Sequence, residues 1–169
     1  MAWKLASYGV TAILTYYLGS LLQAGLHAIL GHKRVGGALH FTHVHHHHAL
    51  YSNGRMVSDT YLPEEKDAAP FFIVPVVLVG WAAYKLLPFD LFLVNACSIS
   101  VSYLGHLYFH KHYHLTESWL GRFGWFRKRQ QLHFVHHRHA TKNYALLDPF
   151  WDKLFGTYQN SDTESYGLH

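Results

Sequence analysis

The sequence predicts an all-α, membrane-embedded chain, and three observations support that class. Long apolar stretches alternate with polar ones rich in His and Arg. Half the residues are apolar and 17% aromatic but only 14% are charged, against about 25% charged in an ordinary soluble domain. Ten of the seventeen histidines gather in four clusters at helical spacings. At 169 residues there is room for one domain and hardly for two, so 1–169 reads as a single unit.

The first apolar stretch, about 3–30, carries little polarity beyond Gln23 and His27. It exceeds the roughly 20 helical residues that cross a bilayer. A cleaved signal peptide is the rival reading, but the run is long for one and its terminal histidines belong to a larger pattern. The second stretch, 71–87, and the third, 91–109, flank a short turn at Pro88 and Asp90. They predict a helical hairpin, giving three transmembrane helices in all.

Of the fourteen Lys and Arg, four lie in 31–70 and eight in 110–169. Three spans put these two stretches on one side, and the positive-inside tendency makes that side cytoplasmic. The expectation is an integral protein of the bacterial inner membrane or endoplasmic reticulum, with 31–70 and 110–169 forming one cytoplasmic helical cap. The tail holds too many aromatics for a solvated linker. It predicts a helix over about 125–139 and an amphipathic piece over 148–155.

The net charge of +4 does not signal nucleic acid, because the basic residues flank membrane-length segments. The single cysteine, Cys97, excludes an intrachain disulfide and reads as a small buried hydrophobe.

The histidines sort by spacing. His27 and His32 form H-x-x-x-x-H, and His106 and His110 form H-x-x-x-H. His43, His46 and His47 form H-x-x-H-H, as do His133, His136 and His137. Residues at i, i+3 and i+4 share one face of an α-helix. At about 100° per residue, His27 and His32 point roughly 140° apart and suit two different ions. The topology brings all four clusters to one membrane face, where ten imidazoles would hold two metal ions with about five nitrogens each. Imidazole serves iron, zinc, copper and nickel without thiolate or carboxylate help.

The run HFTHVHHHH, 40–48, holds surplus histidines, so His40, His45 or His48 could stand in for a named ligand. On α-helical geometry His45 and His48 should point away from the ions. Groups expected to orient the imidazoles are Asp59, Asp148, Asp152 and Asn143, with His139 as a further candidate. Asp148 and Asp152 in DPFWD have a second reading, as the cap and anchor of the last helix.

These four clusters resemble those of the fatty acid hydroxylase / sterol desaturase superfamily of membrane di-iron oxygenases. The ending HFVHHRHATKNYALLDPFWDKLFGTY, 133–158, is similar to that family's close, and RMVSD after the central run resembles its segment there. The resemblance spans roughly 25–158 and departs from the family in span number, three against a common four, and in lacking a fused cytochrome b5-like domain. It implies two iron ions, O2 as co-substrate and hydroxylation of an unactivated C–H bond of a fatty acyl, sterol or isoprenoid lipid. It also implies a separate electron donor, of ferredoxin or cytochrome b5 type with its reductase. Zinc could replace iron in a purified sample. A desaturase or carotenoid hydroxylase of the same superfamily is the nearest alternative. A non-catalytic His-rich membrane protein that binds or transports metal is the alternative of another class.

Overall fold

Each apolar run becomes a helix in the computed structural model, which describes residues 2–52, 54–62 and 69–161. Helix α1 is Ala2–Leu26, prolonged by a π-helical turn at His27–Gly31. A 3-10 turn at Arg34–Gly36 leads into α2, which comprises Ala38–Phe41, a π-helical stretch Thr42–His47, and His48–Leu50. Then come α3 (Ala69–Leu86), α4 (Phe89–Tyr113), α5 (Gly124–Arg138) and a short α6 (Phe150–Phe155).

The hairpin expected around Pro88 is present: α3 ends at Leu86 and α4 starts at Phe89. Among the described residues, two helices, Ala2–Gly31 and Phe89–Tyr113, are long and apolar enough to cross a bilayer, while the corresponding apolar part of α3 is Val76–Leu86. They pack inside-out. Thr15, Ser20, Asn95 and Ser102 are buried, whereas Leu14, Trp81, Val101 and Leu104 are exposed. Between α1 and α4, Asn95 Nδ2 donates to Thr15 Oγ1 at 2.9 Å. Gly19 of α1 faces Ser102 of α4, where a Cβ would meet Ser102 Cβ at 3.7 Å, an ordinary van der Waals contact. Cys97 is exposed on α4, not buried as expected from its apolar surroundings in sequence.

The two polar stretches meet over one end of α1 and α4. Ser58 pairs with Leu115 in an isolated bridge, through Ser58 N to His114 O (2.9 Å) and Thr116 N to Ser58 O (3.0 Å). Tyr113, Leu120, Phe126 and Leu146 form a small buried core beneath α5. Trp151 Nε1 donates to Ser20 Oγ at 2.9 Å, which ties α6 to the side of α1. Gly156 ends α6 in the left-handed conformation (φ 70°), accepted without strain only because it has no Cβ.

A candidate metal centre with two histidine groups

Among the described residues, nine imidazoles converge in two adjacent groups. His27, His32, His43 and His136 form the first, and His47, His110, His114, His133 and His137 the second; within each, the ligand atoms all lie within 4.8 Å of one another. Each of α2 and α5 serves both groups. His43 and His47 stack 5.2 Å apart, and His133 and His136 stack at 5.9 Å, so the groups stand side by side.

Two π-helical turns decide which histidines face inward. A π turn bonds i to i+5, one residue wider than an α turn. His27–Gly31 has that form, and it folds His32 back until its Nε2 is 3.3 Å from that of His27. The two therefore share one group, where α-helical geometry had sent them to different ions. In Thr42–His47 the same widening moves the central cluster by one position. His43 and His47 face inward and His48 joins them, its Nε2 3.2 Å from His43 Nε2 and its ring stacked 4.3 Å from His137. His46, expected as a ligand, is exposed and lies against Phe41. His45 is exposed as well, and His40 Nδ1 donates to the Gly31 carbonyl at 3.1 Å.

On α4 the group members are His110 and His114, not His106 and His110. His106 is buried one turn lower, its ring 6.2 Å from that of His110, and is outside both groups among the described residues. His114 caps the helix C-terminus. The H-x-x-x-H spacing from His110 could have found it, since the α4 stripe runs on past the apolar segment.

The nitrogens are arranged for cations. Within the first group, Nε2–Nε2 separations are 2.9 Å (His27 and His43), 3.0 Å (His32 and His136) and 3.1 Å (His43 and His32). In the second they are 3.0 Å (His110 and His47), 2.9 Å (His114 and His133) and 3.0 Å (His137 and His133). Two nitrogens each about 2.1 Å from one ion and at right angles to each other would stand about 3.0 Å apart.

The far sides of the rings fix the tautomer. Nδ1 donates to a backbone carbonyl in His27 (Tyr144, 2.8 Å), His136 (Lys142, 2.7 Å), His137 (Tyr51, 2.9 Å) and His114 (Met56, 2.9 Å). The proton then sits on Nδ1, and Nε2 presents a lone pair to other lone pairs. Only a shared cation or an added proton satisfies that arrangement, and backbone acceptors behind metal-ligating histidines are the usual support. The added proton is opposed by the surroundings. Burial, reinforced by neighbouring imidazoles, holds His43, His47, His133 and His136 well below the ordinary histidine range. Burial brings His48 to about 3 and His114 to about 4. Neutral imidazole is the metal-binding form.

Two of the groups expected behind the rings act otherwise. Asn143 is buried in a left-handed conformation (φ 51°), and its amide bonds Leu132 O and Gln159 O, not an imidazole. Asp148 accepts from Phe150 N at 2.8 Å and lies 3.8 Å from Arg129, which is its cap-and-anchor reading. Asp59 is exposed, and His139 follows the end of α5. The carbonyl acceptors were invisible in the sequence because every residue has one. Compared with protein-family models, with curated proteins and with solved structures, the chain matches none.

Proposed function

We propose that this chain is a membrane-bound di-iron oxygenase that hydroxylates an unactivated C–H bond of a lipid-like substrate, using O2 and electrons from a separate donor protein. The observation that carries the reading is the pair of adjacent, all-imidazole groups seated over the ends of two apolar helices. The resemblance of the four clusters and of 133–158 to the fatty acid hydroxylase / sterol desaturase superfamily supports the same reading. Two nitrogen-ligated irons supply O2-dependent attack on C–H bonds, and the protein supplies orientation and exclusion of water.

The chain's own residues do two things. The nine grouped histidines, with His48 beside them, hold the ions, and buried Nδ1–H···O=C bonds keep each Nε2 aimed inward. Fully buried Tyr51, whose ring stacks 3.9 Å from His114, and Tyr113 close the centre against water. A small crevice, with room for about one water molecule, is bounded by Gln23 and Leu26 of α1, Val76 of α3 and Ile99 and Tyr103 of α4.

In this reading α1, α3 and α4 span the membrane and the histidine centre lies on the cytoplasmic face. The exposed apolar residues then meet lipid, while Thr15, Ser20, Asn95 and Ser102 face one another inside. The test is expression in a lipid-producing host, with mass spectrometry of the extracted lipids. A gain of one oxygen that disappears in His136→Ala is expected. Loss of two hydrogens would instead identify a desaturase. Unchanged lipids with firmly held zinc would favour a non-catalytic metal protein.

A further inference from the structure

We infer that Asp152 is a positioning residue for the first histidine group, because it holds in place the two backbone carbonyls that orient His27 and His136. The inference rests on the two-ion reading above and identifies the part of the chain that keeps one of the two groups in register.

The two carbonyls belong to Lys142 and Tyr144, 2.7 Å from His136 Nδ1 and 2.8 Å from His27 Nδ1. Both lie in an irregular stretch after α5. Such a stretch aims its carbonyls only if its other backbone groups are tied down. Asp152 ties them. Its Oδ1 accepts from Tyr144 N (2.8 Å) and from the Thr157 hydroxyl (2.7 Å), and its Oδ2 accepts from Ala145 N (2.9 Å). Its own carbonyl accepts from Thr157 N at 2.9 Å and Tyr158 N at 3.0 Å. Asn143, between the two carbonyls, closes the strap: Nδ2 donates to Leu132 O of α5 (3.1 Å) and Oδ1 accepts from Gln159 N (2.9 Å).

Asp152 is 2% exposed. A carboxylate buried to that degree is unfavourable unless its oxygens are bonded, and charge-assisted bonds to N–H groups are the strong kind. Two N–H groups and one hydroxyl converge on this side chain, so the strap depends on it heavily.

The second group has a different frame. His137 and His114 use the carbonyls of Tyr51 and Met56, in the loop after α2, and that loop is held by the Ser58–Leu115 bridge. Damage to the 142–159 strap therefore reaches His27 and His136 and spares the second group.

The full-length protein in detergent, stripped and titrated with Co2+ against a competing chelator, tests this. The absorption of nitrogen-bound cobalt reports each binding step. Wild type should take two ions. Asp152→Asn keeps the size but turns one acceptor into a donor facing an N–H group. It should weaken one step by about 10- to 100-fold, the range for hydrogen-bond partners behind metal ligands, and leave the other unchanged. Thr157→Val, which removes a single hydroxyl donor, should weaken the same step less and remains informative if Asp152→Asn does not fold. His27→Ala identifies that step by abolishing it. Two unaltered steps in Asp152→Asn and Thr157→Val, or equal weakening of both steps, would overturn the inference. Fewer than two ions in wild type would overturn the two-ion reading and the inference together. Two ions without lipid oxygenation would overturn only the oxygenase reading.

Discussion

Acidification of the metal-stripped protein should unfold it over a narrow range, and the size of the effect follows from the buried rings. An unfolded histidine titrates near pH 6.5, whereas burial holds His114 at about 4 and His48 at about 3 in the folded chain. Below pH 6.5 the unfolded chain gains protons that the folded chain cannot take up. The stability these rings leave intact above pH 6.5 is therefore lost as the pH falls toward their folded values. Each pH unit is worth about 1.4 kcal/mol per group, so at pH 5 His114 and His48 each cost about 2 kcal/mol. Together that is about 4 kcal/mol, against a typical total stability of about 5–15 kcal/mol. His43, His47, His133, His136 and His137 are displaced in the same direction and steepen the loss. Thermal unfolding followed by circular dichroism from pH 8 to pH 5 measures it. The midpoint should be flat above pH 7 and fall steeply below 6.5. Metal-loaded protein should hold its midpoint to lower pH, because the ions bind only the folded, deprotonated site. A stripped protein whose midpoint moves by only a few degrees between pH 7 and pH 5 would refute the reasoning.

Further outcomes test the register and the turn that brings the elements together. His48→Ala should lower metal retention against a chelator, while the exposed His46→Ala should leave it near wild type; equal losses would contradict the π-turn register. Gly36→Ala should destabilise the protein by about 3 kcal/mol or more, because its Cβ would overlap the Leu30 carbonyl backbone, which has little room to give. Chemical denaturation and metal content should both report that loss, since Gly36 lies in the turn joining the His27–His32 segment to α2.

Much of the fold was legible in hydropathy. The long apolar helices, the hairpin at Pro88 and a helix over 125–139 follow from run length and turn residues, and the structure has them at Ala2–Leu26, Ala69–Leu86, Phe89–Tyr113 and Gly124–Arg138. The convergence of the four clusters was legible too, because the loop and the tail begin at the same end of α1 and α4. The register within the clusters was not. A period of 3.6 selects His43, His46 and His47, and only a π turn, which has no residue signature here, selects His43, His47 and His48. A second π turn, His27–Gly31, reverses the expectation for His27 and His32. His114 lies outside the His106 and His110 pair that defines the third cluster, although the same spacing repeats from His110. Behind His27, His136, His137 and His114 stand main-chain carbonyls, of Tyr144, Lys142, Tyr51 and Met56, rather than the side chains the sequence suggests. Sequence spacing carries no record of them.

Elemental analysis joined to X-ray absorption, on protein from iron-supplemented cells, tests the central claim most directly. Two irons per chain, ligated in the first shell mainly by nitrogen and with a metal–metal scattering path that disappears in His43→Ala, is the predicted result. One labile ion per chain that survives His43→Ala and His133→Ala but is lost on removing the exposed His45 and His46 would contradict it.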